Sequence, residues 1–262
     1  RVKRAIEWLI DHTQRGGEQD GYIRDDGDLV SKMHGQGYAL LALTQAVGMY
    51  GENEQQRQRL DDAIGRAVGL VQRTQGLSGG WFYEPERMAA HEGSITVCMI
   101  QALRAAKDAG FEVDDGVIAK ADDYLAQSQD PSTGRFRYAL HDDRTSWALT
   151  AAALATANAL GDYDSPRIRN GFDALERDDP FLDGRRSEGF IQYGAFYAAQ
   201  SYWSHQDPRA FNRWWPRYAD SQLEAQLPDG SWQNGNYGQV YATAMVSLSL
   251  QVPFGLLPLF QR

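Results

Sequence analysis

A short pattern recurs along this chain and limits what it can fold into. Gln226-Leu-Pro-Asp-Gly230-Ser-Trp232 spaces a Gln, three residues, a Gly, one residue and a Trp, and Gln75-Gly-Leu-Ser-Gly79-Gly80-Trp81 repeats that spacing. Gln129-Asp-Pro-Ser-Thr-Gly134-Arg-Phe136 carries it with one added residue and Phe in the Trp place, and Asp20-Gly21-Tyr22 is a worn copy near the start. Each strong copy follows a helical pattern and precedes another that is rich in small residues. A period of roughly 45–57 residues over the whole chain means an array of supersecondary units, none of which can bury its apolar face alone.

The segments between the copies alternate in kind. Val2 to Thr13 sets Ile6, Leu9 and Ile10 at helical spacing, and Gly16-Gly17 stops it. The next expected helix, Met33 to Met49, mixes Gly35, Gly37, Ala39 and Ala42 with Leu40, Leu41 and Leu43, so it is apolar on nearly all sides and suited to burial. Charged amphipathic helices are then expected over about 55–73, 115–126, 165–176 and 208–225. They alternate with small-residue helices over about 91–109, 146–160, 189–203 and 237–251. Such pairing predicts an all-α chain, an α/α toroid of about five hairpins with an inner and an outer ring, open or lacking a pair, forming one domain over residues 1–262. The apolar tail Val252-Pro-Phe-Gly-Leu-Leu-Pro-Leu-Phe260 is broken by Pro253 and Pro258 and is expected to pack back over the barrel.

Composition narrows the partners. The formal net charge of −9 disfavours nucleic acid and anionic membrane surfaces. No apolar run reaches the ~18 residues of a transmembrane helix. One cysteine, Cys98, excludes an internal disulfide and leaves the compartment open, an extracytoplasmic one included. The remaining partners are a hydrophobic small molecule or another protein.

The Gln–Gly–Trp pattern resembles the QW repeat of the squalene/hopene cyclase and protein prenyltransferase families, and the likeness covers most of the chain. The resemblance implies a central cavity that handles an isoprenoid or other hydrophobic ligand, with acid-initiated cyclisation as the reaction. Cyclases of that kind protonate an alkene with an Asp in a D-x-D-D-T-A run. Leu140-His141-Asp142-Asp143-Arg144-Thr145 matches its central and last Asp with Asp142 and Asp143, departs from it at Leu140 and Arg144, and sets His141 beside the donor. The Asp-x-Cys zinc pair of the prenyltransferases is missing, because Thr96 precedes Cys98. No metal and no cofactor is therefore inferred, although His34, His91 and His141 precede three successive small-residue helices. Asp25-Asp26-Gly27-Asp28 reads as a polar turn.

Alignment of the small-residue helices on Gly35, Gly93, Ser146, Gly194 and Gly238 places His34, Glu92, Thr145, Tyr193 and Tyr237 just before them. Tyr38, Tyr197 and Tyr241 then fall three residues after, as a ring of phenols with Trp147 and Phe196 nearby. The candidate site consists of Asp142, Asp143, His141 and Glu92 as acid–base groups. Its binding wall is Tyr38, Trp147, Tyr193, Phe196, Tyr197, Tyr237 and Tyr241, with His34 and His91 at the mouth. Three other readings stand beside it: core tyrosines bonded across the fold, a non-catalytic ligand-binding or protein-interaction scaffold, and a carbohydrate cleft with Glu92 and Asp142 as facing carboxylates.

Overall fold

A computed structural model describes residues 1–182 and 190–256. Among these the chain is all-α apart from one small hairpin. The helices are α1 (Val2–Asp11), α2 (Met33–Gln45), α3 (Glu54–Arg73), α4 (Gly93–Asp108), α5 (Asp115–Ser128), α6 (Trp147–Ala159), α7 (Pro166–Arg177), α8 (Ile191–Ser204), α9 (Pro208–Ala225) and α10 (Gly238–Gln251). Strands β1 (Arg137–Ala139) and β2 (Asp142–Thr145) pair around Leu140 and His141. Helix α6 begins one residue after its expected start at Ser146, and the hairpin, which was not expected, carries Asp142 and Asp143 just before it. The expected start at Gly189 and the tail beyond residue 256 lie outside the described residues. Before that point Val252 is buried in a short 3-10 turn, whereas Phe254 and Leu256 are exposed.

The chain divides into two compact units, Arg1–Ser128 with Ala139–His141, and Gln129–Tyr138 with Asp142–Arg262. In unit 1 the apolar helices α2 and α4 pack together, flanked by α1, α3 and α5. Gly37 permits the close approach: a Cβ there would lie 2.8 Å from the Cβ of Cys98 and 2.9 Å from the Cε of Met99. The thiol of Cys98 is thus a small core group. In unit 2 α8 packs between α6 and α10, with Gly194 accepting the ring of Trp147. Helix starts are set locally. Asn53, Glu92, Ser146, Ser165 and Asp207 each accept a backbone N–H of the first turn, and Pro166 and Pro208 occupy the first turn where no N–H is needed.

The repeated loops do the joining. Gly21, Gly79, Gly134 and Gly230 all have φ between +77° and +88°. At three of them a Cβ would strike the backbone carbonyl of the amphipathic helix that follows: Arg66 O at 2.0 Å from Gly21, Lys120 O at 2.1 Å from Gly79 and Asn170 O at 2.1 Å from Gly134. Gln75 Nε2 donates to Gly79 O (2.9 Å) inside its loop and to Val117 O (2.8 Å) of α5. Gln129 Nε2 does the same to Gly134 O (3.0 Å) and Arg167 O (2.8 Å) of α7. The indoles tie backwards, Trp81 Nε1 to Val71 O (2.7 Å) and Trp232 Nε1 to Gln222 O (2.9 Å). The Gln therefore clamps the next helix and the Trp closes off the previous one. In the first copy Ile23, one residue past Tyr22, holds the Trp place, because Gln14 and Tyr22 pair across the turn as Gly76 and Gly80 do.

The same loops fix the register of the apolar helices. The backbone N–H of Ile23, Trp81, Phe136 and Trp232 is accepted by Gln36 Oε1 (2.8 Å), Thr96 Oγ1 (3.1 Å), Thr150 Oγ1 (3.2 Å) and Thr243 Oγ1 (3.1 Å). Those four acceptors are structurally equivalent. Tyr38 follows its acceptor by two residues and Tyr241 precedes its own by two. The alignment on the first small residue is thus out of step, and these two tyrosines occupy different positions in their repeats. Reading back two places from each acceptor makes His34 the counterpart of Ser94.

Candidate functional site

Unit 1 carries a cleft of about 340 Å³ between α1, α2 and the loop that joins them. Trp8 and Leu9 of α1, Ile23 of the loop, and Tyr38, Ala39 and Ala42 of α2 supply apolar wall; Arg24, Asp25, Asp28 and Ser31 supply a polar edge. Trp8 stacks on His12, with ring centroids 3.8 Å apart, which fixes its indole at the rim. The polar edge is built by the expected turn. Asp25 Oδ1 accepts from Gly27 N–H (2.7 Å), and Asp28 Oδ1 accepts from Val30 N–H (3.0 Å) and Ser31 N–H (2.8 Å). Burial pushes the Asp28 carboxyl up, but the Ser31 hydroxyl and the turn's N–H groups outweigh it and hold the group below the ordinary carboxylate range. The cleft thus presents fixed negative charge at one end of an apolar surface. The volume lies at the small end of the ~300–1,000 Å³ typical of small-molecule pockets.

Beside it runs a polar chain of side chains, Glu92, Ser94 and His34. Glu92 Oε2 caps α4 through Ile95 N–H (2.8 Å) and accepts the Ser94 hydroxyl (2.6 Å). Ser94 Oγ lies 2.8 Å from His34 Nε2. The single hydroxyl proton of Ser94 goes to Glu92, so His34 must donate through Nε2. This is the reverse of a nucleophilic triad, in which the imidazole takes the serine proton and the carboxylate orients the imidazole. Burial lowers the His34 pKa from 6.5 to about 4, so the ring is neutral at pH 7. Tyr83 meets it edge-on at 5.8 Å. The trio holds α2 against α4 and is not arranged for attack.

The other expected acid–base groups separate. His91 Nδ1 sits 3.1 Å from the Tyr124 hydroxyl, and its ring centroid is 6.3 Å from that of His141. Burial, with His141 as the lesser cause, lowers the His91 pKa. His34 is engaged with Ser94 and does not join them. Among the described residues no three His, Cys, Asp or Glu side chains converge as a metal-binding set. Asp142 is half-buried on the hairpin, where the exposed Arg144 donates through Nε to both of its oxygens at 3.0 and 2.8 Å. The Arg144 side chain, then its backbone N–H, hold the Asp142 carboxyl below its usual range. A protonating acid needs the opposite environment, so the arrangement gives Asp142 no donor role. Asp143 is fully solvated, 3.6 Å from Arg137 Nε.

The expected aromatic wall divides by depth. Trp147, Phe196 and Tyr197 are core side chains of unit 2, at 2%, 1% and 0% exposure. Trp147 Nε1 donates to Leu175 O (3.1 Å), and Tyr193 packs edge-on to Tyr197 at 4.8 Å. Tyr237 is exposed, and its ring lies 5.1 Å from that of Tyr241. Of the seven wall residues only Tyr38 borders the cleft.

Trp8, Ser31 and Ser94 escaped the sequence reading. Trp8 belongs to an ordinary amphipathic stretch, and Ser94 becomes visible only once Thr96 sets the register. A second unforeseen group lies in unit 2. Asp179, 5% exposed, accepts from Phe181 N–H (3.0 Å) and from Arg217 Nη2 (3.2 Å), joining the end of α7 to α9. Comparison with known proteins finds no family model and no curated protein that matches this chain.

Proposed function

We propose that the chain is a non-catalytic binding domain of the α/α-toroid kind, resembling the cyclase and prenyltransferase repeat, and that unit 1 holds a small hydrophobic ligand in the cleft of Trp8, Tyr38 and Ala42. The observation that carries the reading is the cleft itself: a mostly apolar cavity with its few polar groups gathered at one edge. Arg24 of that edge is paired with Asp26 at 2.9 Å, which leaves Asp25 and Asp28 to make the edge anionic, so it favours a ligand ending in a hydroxyl and disfavours a diphosphate. An isoprenoid alcohol fits this description. Trp8 and Tyr38 beside two carboxylates also suit a sugar ring, which makes a short oligosaccharide the second reading.

The test is thermal unfolding of the wild type and Ala42→Trp with farnesol, farnesyl diphosphate and a maltooligosaccharide. Ala42 is an exposed helix position on the cleft wall, so the larger side chain fills the cleft without entering the core. Farnesol is expected to stabilise the wild type, by about 2.7 kcal/mol at a hundredfold excess over Kd. The diphosphate is expected to act less, and the variant not to respond. Stabilisation by the sugar alone would move the assignment to carbohydrate. Equal effects on wild type and variant would remove the cleft from the account.

A further inference from the structure

The last of these loops, residues 226–232, has the build of the other joining loops but, among the described residues, clamps no helix. Gly230 keeps φ at +84°, yet among the described residues a Cβ there would meet within 4 Å only Gln226 Nε2, at 4.0 Å. Gln226 Nε2 donates to Gly230 O (2.9 Å), the bond that Gln75 and Gln129 also make, and among the described residues nothing takes the place of Val117 or Arg167. Gln226, Asp229 and Gly230 are exposed, and Leu223 of α9 and Val240 of α10 are 62% and 86% exposed.

The filled loops define what fits. The carbonyl against each glycine belongs to Arg66, Lys120 or Asn170, and each lies nine residues before the residue that follows the helix's last turn, Gln75, Gln129 or Asp179. The carbonyl that the Gln clamps lies three residues earlier still, at Val117 or Arg167. In α9 the same position is Arg217, the residue bound to Asp179. In α1 the count runs from Thr13, which bridges to Ile23 as Gln129 does to Phe136, so the position is Arg4, and the clamped carbonyl would be that of Arg1. Residues Arg1 to Ala5 are all exposed. The charges agree as well. Asp20, just before Gly21, pairs with Arg66 at 2.7 Å, and Asp229 stands just before Gly230 as Arg4 stands in the place of Arg66.

We propose that loop 226–232 receives α1 of a second copy of this chain, with Gln226 clamping the carbonyl of Arg1 and Asp229 pairing with Arg4, so that copies associate head to tail. The contact joins two different surfaces and is heterologous, so it builds rings or open chains and not a closed two-fold dimer. Docking sets α10 of one copy beside α2 of the next, as α2 lies beside α4 within unit 1. The exposed Val240 then reaches the side of α2 that carries Ala42, and the assembly borders the ligand cleft. The assembly is for that reason tested without ligand, and the ligand at dilutions where the chain is monomeric.

The experiment is sedimentation velocity over a roughly hundredfold range of concentration. It compares wild type, Arg4→Asp, Gly230→Ala, an equimolar mixture of those two, and the combined Arg4→Asp/Asp229→Arg chain. All substituted positions are exposed, and circular dichroism confirms that each variant folds. The wild-type mass is expected to rise with concentration, and each single variant to stay monomeric. The mixture, with one sound socket and one sound α1, is expected to stop at a pair of chains. The combined variant regains association through its reversed charges. A wild type that remains monomeric throughout overturns the proposal. So does association that survives both single substitutions, or a mixture that grows as the wild type does.

Discussion

Replacing Gly79 by Ala should damage unit 1 far more than the same change at Gly230 damages unit 2. The two glycines share their backbone, φ +87° and +84°, so both substitutions force an L-residue into the left-handed region at about 1–2 kcal/mol. Only Gly79 has a neighbour. Its new Cβ would lie 2.1 Å from Lys120 O and 2.7 Å from the carbonyl carbon, rigid helical backbone that cannot rotate aside. Relief requires α5 to retreat by more than an ångström, an overpacking cost of about 1–3 kcal/mol. That retreat stretches the bond from Gln75 to Val117 O, worth about 1 kcal/mol more. The total for Gly79→Ala is about 3–6 kcal/mol, against about 1–2 for Gly230→Ala in the monomer. Urea unfolding followed by circular dichroism at low protein concentration reads the two midpoints. Equal losses would refute the claim that the glycines serve close approach between helices, and would leave only backbone strain.

The clamps predict the same asymmetry in side chains. Gln75→Ala, which removes a buried donor from two carbonyls, should cost about 2 kcal/mol, whereas Gln226→Ala should cost a few tenths, as read from urea midpoints. Burial holds His34 down to about 4 from 6.5, so between those values the unfolded chain takes up a proton that the folded chain does not. Stability is then full above about pH 6.5 and falls as pH drops toward 4, by up to about 3 kcal/mol, and His34→Asn should flatten that part of the midpoint-against-pH curve. Asp179→Ala should destabilise unit 2 by about 2–4 kcal/mol, because it strips a buried acceptor from Phe181 N–H and Arg217, and the loss should appear in thermal unfolding of the single variant. Asp142→Asn should leave the melting temperature unchanged, since its partner Arg144 is only two residues away and exposed.

Most of the helices were legible because each signal is local. Asn53, Ser165-Pro166 and Asp207-Pro208 mark starts, Gly110 and Gly161 mark ends, and the change from amphipathic to small-residue pattern separates the two helix kinds. The repeated Gly and Gln announced the joining loops in the same way, although not which carbonyls they meet. The hairpin of Arg137–Ala139 with Asp142–Thr145 is not legible, because three- and four-residue strands give too short an alternation to stand out. The site was less legible than the fold. Tyr38, Tyr197 and Tyr241 look equivalent when counted from a glycine or serine, but the chain counts from Gln36, Thr96, Thr150 and Thr243, whose side chains accept from the loops. A two-residue displacement turns a helical position through about 200° and changes what it faces. Glu92 was noticed for its charge, yet its partner Ser94 becomes apparent only through contact between α2 and α4.

The central claim, that unit 1 carries the ligand site, is tested most directly by photolabelling with a diazirine analogue of farnesol followed by peptide mapping. The account predicts saturable labelling within residues 1–45, at the positions of Trp8, Tyr38 and Ala42, competed by farnesol and abolished in Ala42→Trp. Saturable labelling confined to the aromatic helices α8 and α10, or labelling that farnesol does not compete, would contradict it.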